Sequence, residues 1–316
     1  MTKVIFYPNR GGLGDSIVGC SSCFILSKVL DLKFEIANGL LKIYNYFDIP
    51  QEYKCKKENS INYNYEPNEE NDKLFMYSDL NIFKNCDIHL TSGSNFSRFI
   101  YKNSNFRNKI NIKETDVINY LFKNILIPKK QYLEKLNYYI KTYDIKNIIG
   151  MQIRLGNKWN DGFTKNSLTE KTILNFINCL KYINKMYNIS SDKILLITDN
   201  YKEVSSYLNK YNIKNIINIH GKITHSLKEN NVDYEKTLID MLLIGQTKHS
   251  IISYWSNFGR IGVLQNKAIN IWLVEPEFEN NIINKNRQWR DNSDSDVIEF
   301  RKGHLNELLS KESSFI

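Results

Sequence analysis

The sequence predicts an α/β protein built on parallel sheets, and three observations lead there. From Asn147 onward, short apolar runs alternate with stretches of helical length and period, the order that gives a parallel sheet covered on both faces. The amino-terminal residues run strand, Gly-rich turn, helix, strand, a Rossmann-like opening. Ser94-Asn95-Phe96-Ser97-Arg98 is echoed by Ser256-Asn257-Phe258-Gly259-Arg260, each after a strand pattern and before a helix pattern, as two similar half-proteins would show.

Taken in order, Lys3 to Tyr7 reads as a buried strand, Asn9 to Asp15 as a Gly-rich loop, Ser16 to Leu30 as a helix and Lys33 to Ala37 as a second strand. Gln51 to Asp72 is polar with few periodic apolar residues, so it is expected to be a surface insertion. A strand pattern returns at Cys86 to Leu90, then helical patterns at Glu114 to Leu126 and Lys130 to Thr142. Next come strands at Asn147 to Ile153, Lys193 to Thr198, Lys214 to Ile219, Ser250 to Tyr254 and Ala268 to Val274. Helices at Leu168 to Tyr187, Tyr201 to Tyr211, Tyr234 to Thr247 and Asn257 to Gln265 separate them. Ser167 with Glu170 forms a capping box for the first of these helices. The tail from Glu275 to Ile316 is polar, with a short helical pattern at Leu305 to Leu309. The expected division is an amino-terminal Rossmann-like domain, 1–145, and a carboxyl-terminal one, 146–316.

At 316 residues, 42% hydrophobic and 24% charged, the chain has ordinary globular composition and length for two domains. Its net charge of +9 suits a partner with phosphates. The lysines are scattered, with no basic block interleaved with aromatics, which disfavours nucleic acid. No apolar run approaches the roughly 20 residues of a membrane span, and the amino end lacks a signal-peptide layout, so a cytoplasmic location is expected. Five cysteines, an odd number, fit reduced thiols. Cys20 and Cys23 have C-x-x-C spacing, but on an apolar helix without a partner pair, where buried small residues are the plainer reading than zinc or redox use.

In open parallel sheets, ligands bind outside the carboxyl ends of the strands, and in the second half those ends are polar. They carry Gln152, Arg154 and Lys158, then Asp199, then His220 to His225, then Ser256, Asn257 and Phe258 at a helix start. Arg154 and Lys158 would bring cations to a departing diphosphate, against the alternative of solvated surface charges. The helix start at Ser256 offers backbone N–H groups to a phosphate. Asp240 interrupts the apolar run Leu238-Ile-Asp-Met-Leu-Leu-Ile, where an unpaired carboxylate is expensive. Guanine, with adjacent N1–H and N2–H2 donors, is one partner and a structural salt bridge is the other. Gly12 and Gly14 form part of a dinucleotide fingerprint, but Ile17 stands where the third glycine belongs and Glu35 sits inside the strand pattern. No Walker lysine follows a glycine loop. Asp294-Ser-Asp296 resembles a D-x-D metal site but lies in the polar tail, and the five histidines lack ligand spacing, so no metal is expected.

Several blocks together resemble one family, the fucosyltransferases that include rhizobial nodulation enzymes, core α-1,6-fucosyltransferases and, more remotely, protein O-fucosyltransferases. IGMQIRLGNK at Ile149 to Lys158 is similar to the family's H-x-R-x-G/T-D/N-K segment, with Gln152 replacing the histidine. LIDMLLIGQTKHSIISYWSNFGRIGVL, Leu238 to Leu264, resembles its I-L-D-x-x-x-L-S…S-S/N-x-x-x-R segment. GGLGD resembles its first Gly-rich loop, and ILLITDN, Ile194 to Asn200, its L-x-T-D-D strand end.

The resemblance implies a GT-B-like pair of Rossmann-like domains with parallel sheets facing across a cleft. It also implies GDP-fucose as donor, inversion at the anomeric carbon, a glycan or other hydroxyl acceptor, and neither metal nor cofactor. Arg154 and Lys158 would then hold the diphosphate, Asp240 the guanine, and Ser256 and Asn257 the phosphates. Gly12, Gly14, Gln152, Asp199, His225 and Phe258 complete the expected donor site. Asp161 is the first choice for the base that deprotonates the acceptor, and Asp15, on the first-domain loop, the second. Two rival readings are an NAD-dependent oxidoreductase using the first Gly-rich turn and a catalytically inactive sugar-binding relative.

Overall fold

The computed structural model describes residues 2–8, 12–55, 63–64, 69–84, 87–93, 95–155, 170–189, 193–221, 234–253, 256–266, 268 and 270–274. The chain forms two compact units, Met1–Lys135 with Lys222–Ile239, and Leu136–Gly221 with Asp240–Ile316. A single cut near residue 145 therefore misses the return of Lys222–Ile239 to the first unit. The described part of that segment shows why. Tyr234 donates its N–H to the Tyr46 hydroxyl at 3.0 Å, the two rings meet edge to face at 5.7 Å, and Glu235 pairs with Lys135.

The first unit contains β1 (Lys3–Phe6), α1 (Leu13–Leu30), β2 (Lys33–Ile36), β3 (Phe47–Asp48), β4 (Tyr63–Asn64) and α2 (Glu69–Tyr77). It continues with β5 (Ile88–Thr91), α3 (Ser97–Lys102), α4 (Val117–Asn124), β6 (Ile127–Pro128) and the start of α5 (Lys130–Tyr143). Its main sheet has the order β2-β1-β5-β4, and every pairing in it is parallel. The stretch expected to be a surface insertion thus supplies an edge strand, β4, and the beginning of α2. α1 starts at Leu13, so Gly14 and Asp15 occupy its first turn rather than a loop. Gly12 is extended at the N-cap (φ −64°, ψ 166°), Leu13 is buried, and the Asp15 carboxylate suits the positive end of the helix dipole.

α1 is 18 residues long and apolar enough to cross a membrane by length and composition, and 89% of it is buried inside the protein. It packs against β1, α3 and α4, which explains a helix that is apolar on nearly every side. Gly19 permits this approach, since a Cβ there would collide with the backbone carbonyl of Ser92. Cys20 and Cys23 lie on this helix fully buried, and burial pushes both thiols well above their usual range, the state of inert packing residues.

The second unit contains β7 (Ile149–Ile153), α6 (Glu170–Tyr187), β8 (Lys193–Thr198), α7 (Tyr201–Lys210) and β9 (Asn215–Ile217). After the excursion come the end of α8 (Glu235–Ile244), β10 (His249–Ser253), α9 (Asn257–Leu264) and β11 (Ile271–Val274). The sheet order is β11-β10-β7-β8-β9, parallel throughout. Side chains alternate along β7. Ile149, Met151 and Ile153 join Phe176, Ile177 and Ile183 of α6 and Val204 and Leu208 of α7 in one core. The intervening Gly150 lies against Ile244 and Thr247, and Gln152 against Gly259 of α9. Helices therefore cover both faces. α9 lies close to α8 because Gly262 and Gly245 have no side chain, and a Cβ on Gly262 would strike Ile244.

The echoed five-residue segments hold the same place, after β5 and after β10, but cap their helices differently. α9 has Ser256 as N-cap, its hydroxyl accepting from the Gly259 N–H at 3.2 Å. α3 starts two positions later in the echo, with Phe96 at the cap, and its Asn95 is engaged by the Ser97 hydroxyl at 2.6 Å.

Candidate functional site

The strand order of the second unit locates its site. From β7 the chain builds outward through β8 and β9, then returns to the other side of β7 with β10 and β11. The direction reverses between β7 and β10, and the crevice beyond the carboxyl ends at such a reversal is where open α/β sheets take ligands.

Arg154 stands there, one residue beyond β7. Its N–H donates to the Ser253 hydroxyl at the end of β10, 3.0 Å away. The Ser253 hydroxyl donates in turn to the Gln152 carbonyl at 3.3 Å, and the Ser253 N–H donates to Gln152 Oε1 at 3.3 Å. On the other side, Asp199 follows β8. Its Oδ1 accepts the Leu155 N–H at 2.8 Å and its Oδ2 lies 3.9 Å from Arg154 Nε. The Asp199 side chain is 7% exposed and that of Arg154 36%, so the cation reaches solvent while the anion is covered.

Two helices begin beside this cluster. Asn200 caps α7, accepting the Glu203 N–H at 3.3 Å and donating its amide to Glu203 Oε2 at 2.6 Å. Ser256 caps α9, and Gly259 in the first turn of α9 sits so close to Gln152 that a Cβ would stand 2.5 Å from Oε1. The amino end of α9 thereby lies against the β7 strand end, with Asn257 and Phe258 half-buried in its first turn. A partly exposed guanidinium beside a helix amino terminus is chemistry suited to an oxyanion.

Of the expected donor residues, the structure gathers Gln152, Arg154, Asp199, Ser256, Asn257 and Phe258 at the ends of β7, β8 and β10. Asp240 is buried at 4% exposure within α8. Lys158, Asp161 and His225 lie outside the described residues, as do Ser167, Cys86, Asp294, Asp296 and the tail. Gly12, Gly14 and Asp15 belong to the first unit, around the start of α1. Gln152 and Asp199, expected as nucleotide contacts, use the groups described above on neighbouring protein atoms. Ser253 was assigned no role in the expected site. Its signal was a polar residue closing β10, the strand next to the central one.

The first unit's Gly-rich turn offers less to a dinucleotide. Glu35, where an NAD site would want a free acid for ribose, is held by Lys3 at 2.8 Å and Lys33 at 2.9 Å, with its side chain 6% exposed. Burial pushes its carboxyl up, but the hydrogen bonds from the two lysines outweigh this and hold it below the usual range. The hydrogen bond to Glu35 holds the Lys3 ammonium above its usual range. Ile17, at the third-glycine position, is fully buried. Among the described residues no group of three or more His, Cys, Asp or Glu could hold a metal ion.

No protein-family model matches the sequence, and no curated protein does. Solved structures do. A mutant of Arabidopsis thaliana FUT1 in complex with GDP superposes with a TM-score of 0.64 at 13% identity, over 88% of this chain and 71% of that one. The fold is that of the GT-B fucosyltransferases. NodZ α-1,6-fucosyltransferase soaked with GDP-fucose superposes with a TM-score of 0.52 at 13% identity, over 84% of this chain and 93% of that one. NodZ from Bradyrhizobium gives 0.51 at 13% identity, over 87% and 94%. At such identities the likeness extends to the fold, and residue roles rest on this chain's own chemistry. Within this GT-B fucosyltransferase fold, the reversal beside β7 is where that chemistry collects.

Proposed function

We propose that this chain is an inverting glycosyltransferase that takes a guanine nucleotide sugar, GDP-fucose, and transfers the sugar to a hydroxyl acceptor without a required metal. One observation carries the reading: a partly exposed arginine, Arg154, stands at the β7–β10 reversal of a fucosyltransferase fold, beside the amino end of α9. FUT1 in complex with GDP and NodZ soaked with GDP-fucose support the choice of donor.

In this reading the guanidinium of Arg154 neutralises the leaving diphosphate as the sugar gains oxocarbenium character, with Lys158 and the α9 N–H groups assisting. Asp240 accepts the N1–H and N2–H2 of guanine. A carboxylate deprotonates the acceptor hydroxyl in line with departure, Asp161 first and Asp15 second. The assigned cations and N–H groups neutralise the diphosphate, so a divalent ion is redundant. A cytoplasmic setting belongs to the proposal, in keeping with the buried thiols of Cys20, Cys23 and Cys179.

The test is a donor-hydrolysis screen across GDP-fucose, GDP-mannose and UDP-sugars, each with and without excess EDTA. GDP release from GDP-fucose that persists in chelator is expected. Release confined to UDP-sugars contradicts the donor assignment. Activity abolished by EDTA, restored by Mn²⁺ and lost in the Asp294→Ala, Asp296→Ala double mutant contradicts the metal-independent mechanism.

A further inference from the structure

We propose that Asp199 and Ser253 are positioning residues for Arg154, acting on its side chain and backbone rather than on the donor; this rests on the reading that Arg154 meets a diphosphate. β8 and β10 flank β7 in the sheet, and each contributes one hold from the residues at its carboxyl end. From the β8 side, the Asp199 carboxylate divides its oxygens, Oδ1 fixing the Leu155 N–H at 2.8 Å and Oδ2 facing Arg154 Nε at 3.9 Å. From the β10 side, the Ser253 hydroxyl takes the Arg154 N–H at 3.0 Å while donating to the Gln152 carbonyl at 3.3 Å. The Arg154 and Leu155 N–H groups are thus both fixed, and a carboxylate oxygen faces the guanidinium at Nε.

The chemistry favours this over direct donor contact. A carboxylate repels a diphosphate, and Asp199, with its side chain 7% exposed, has little surface for a ligand. A carboxylate beside Nε biases the guanidinium plane toward one pose, and the planar fork of N–H groups matches phosphate oxygens in pairs. Holding a long side chain in that pose before binding removes ordering cost from the binding step.

The test is a double-mutant cycle by calorimetry, with GDP as ligand and guanosine as the probe that lacks phosphate. Asp199→Asn is expected to weaken GDP about tenfold in the wild-type background. In the Arg154→Ala background it should cost less than about twofold. Guanosine affinity should not change. Ser253→Ala, a second variant that does not depend on Asp199→Asn folding, should repeat the pattern, and Ser253→Thr, which keeps the hydroxyl, should recover most of the affinity. Additive losses, or equal losses for guanosine and GDP, overturn the positioning role while the nucleotide reading stands. A folded wild-type protein that does not bind GDP overturns that reading and the positioning role with it.

Discussion

Both sheets reverse direction beside their first strand, β1 in the first unit and β7 in the second, yet they place their charged residues differently. In the first unit, Lys3 and Lys33, at the starts of β1 and β2, close on Glu35, and Asp87, just before β5, accepts the Lys3 backbone N–H at 3.2 Å. In the second, Lys193, Asn215 and His249 stand at strand starts, while at the carboxyl ends Asp199 is covered and Arg154 is left partly exposed. The comparison teaches that charge as such does not mark a site. Paired charge at the amino ends ties a sheet together, whereas a cation held by its neighbours and still open to solvent at a reversal point can receive a ligand.

The sharpest way to break that contrast is at Arg154. Arg154→Ala is expected to lower turnover by about a hundredfold or more while the protein stays folded, because a contact made to transition-state charge is lost. Steady-state kinetics with a circular-dichroism control checks it, and near-normal turnover in a folded mutant removes Arg154 from the mechanism. Asp240 comes next. Asp240→Asn should weaken GDP binding by roughly 1 to 3 kcal/mol with little change for free phosphate. If calorimetry finds GDP affinity unchanged and the melting temperature lowered, Asp240 belongs to a structural ion pair instead.

The first unit predicts the reverse behaviour. Glu35→Gln should cost about 1 to 2 kcal/mol of stability at neutral pH and leave turnover alone. The folded carboxyl of Glu35 is held below its unfolded value, so its contribution is present above about pH 4.3 and is lost as pH falls through the depressed value. Lys3 is raised, so its share persists through neutral pH and is lost only as pH climbs past the unfolded lysine value. Urea unfolding of wild type and mutant should therefore differ at pH 7 and converge in strong acid. A gap that widens in acid would contradict the sign.

The smallest expected effect lies at the start of β10. There the Trp272 indole N–H donates to His249 Nδ1 at 3.4 Å and the Tyr187 ring stands 4.5 Å from the imidazole. Burial, then the neighbouring Lys248 charge, lowers the His249 pKa. Stability should fall as pH drops from about 6.5 toward the depressed value, by less than about 1 kcal/mol. His249→Phe should remove that slope from melting curves taken between pH 7 and 5, and an unchanged slope assigns it to other groups.

Much of the fold was legible because apolar periodicity is a local signal. Lys193–Thr198 was read with its observed bounds, and the other strands and helices of the second unit shift by a few residues at most. What escaped depended on distant partners. The start of α1 moved into the Gly-rich loop because buried Leu13 extends the helix. β4 was hidden in a polar segment because an edge strand pairing with β5 needs little apolar sequence. The return of Lys222–Ile239 to the first unit rests on contacts such as Tyr46 with Tyr234, nearly two hundred positions apart, which no periodicity encodes. At the site, Arg154 was legible as a cation one step past an apolar strand. The bonds that occupy Gln152, Asp199 and Ser253 were not, since they follow from which strands lie side by side.

The most direct measurement is a calorimetric titration of GDP into the wild-type protein and into Arg154→Ala, with NAD as the control ligand. The account predicts saturable GDP binding to the wild type, weakened at least about tenfold in the folded mutant, and no response to NAD. Binding of NAD in place of GDP, or equal GDP affinity in the two proteins, would contradict it.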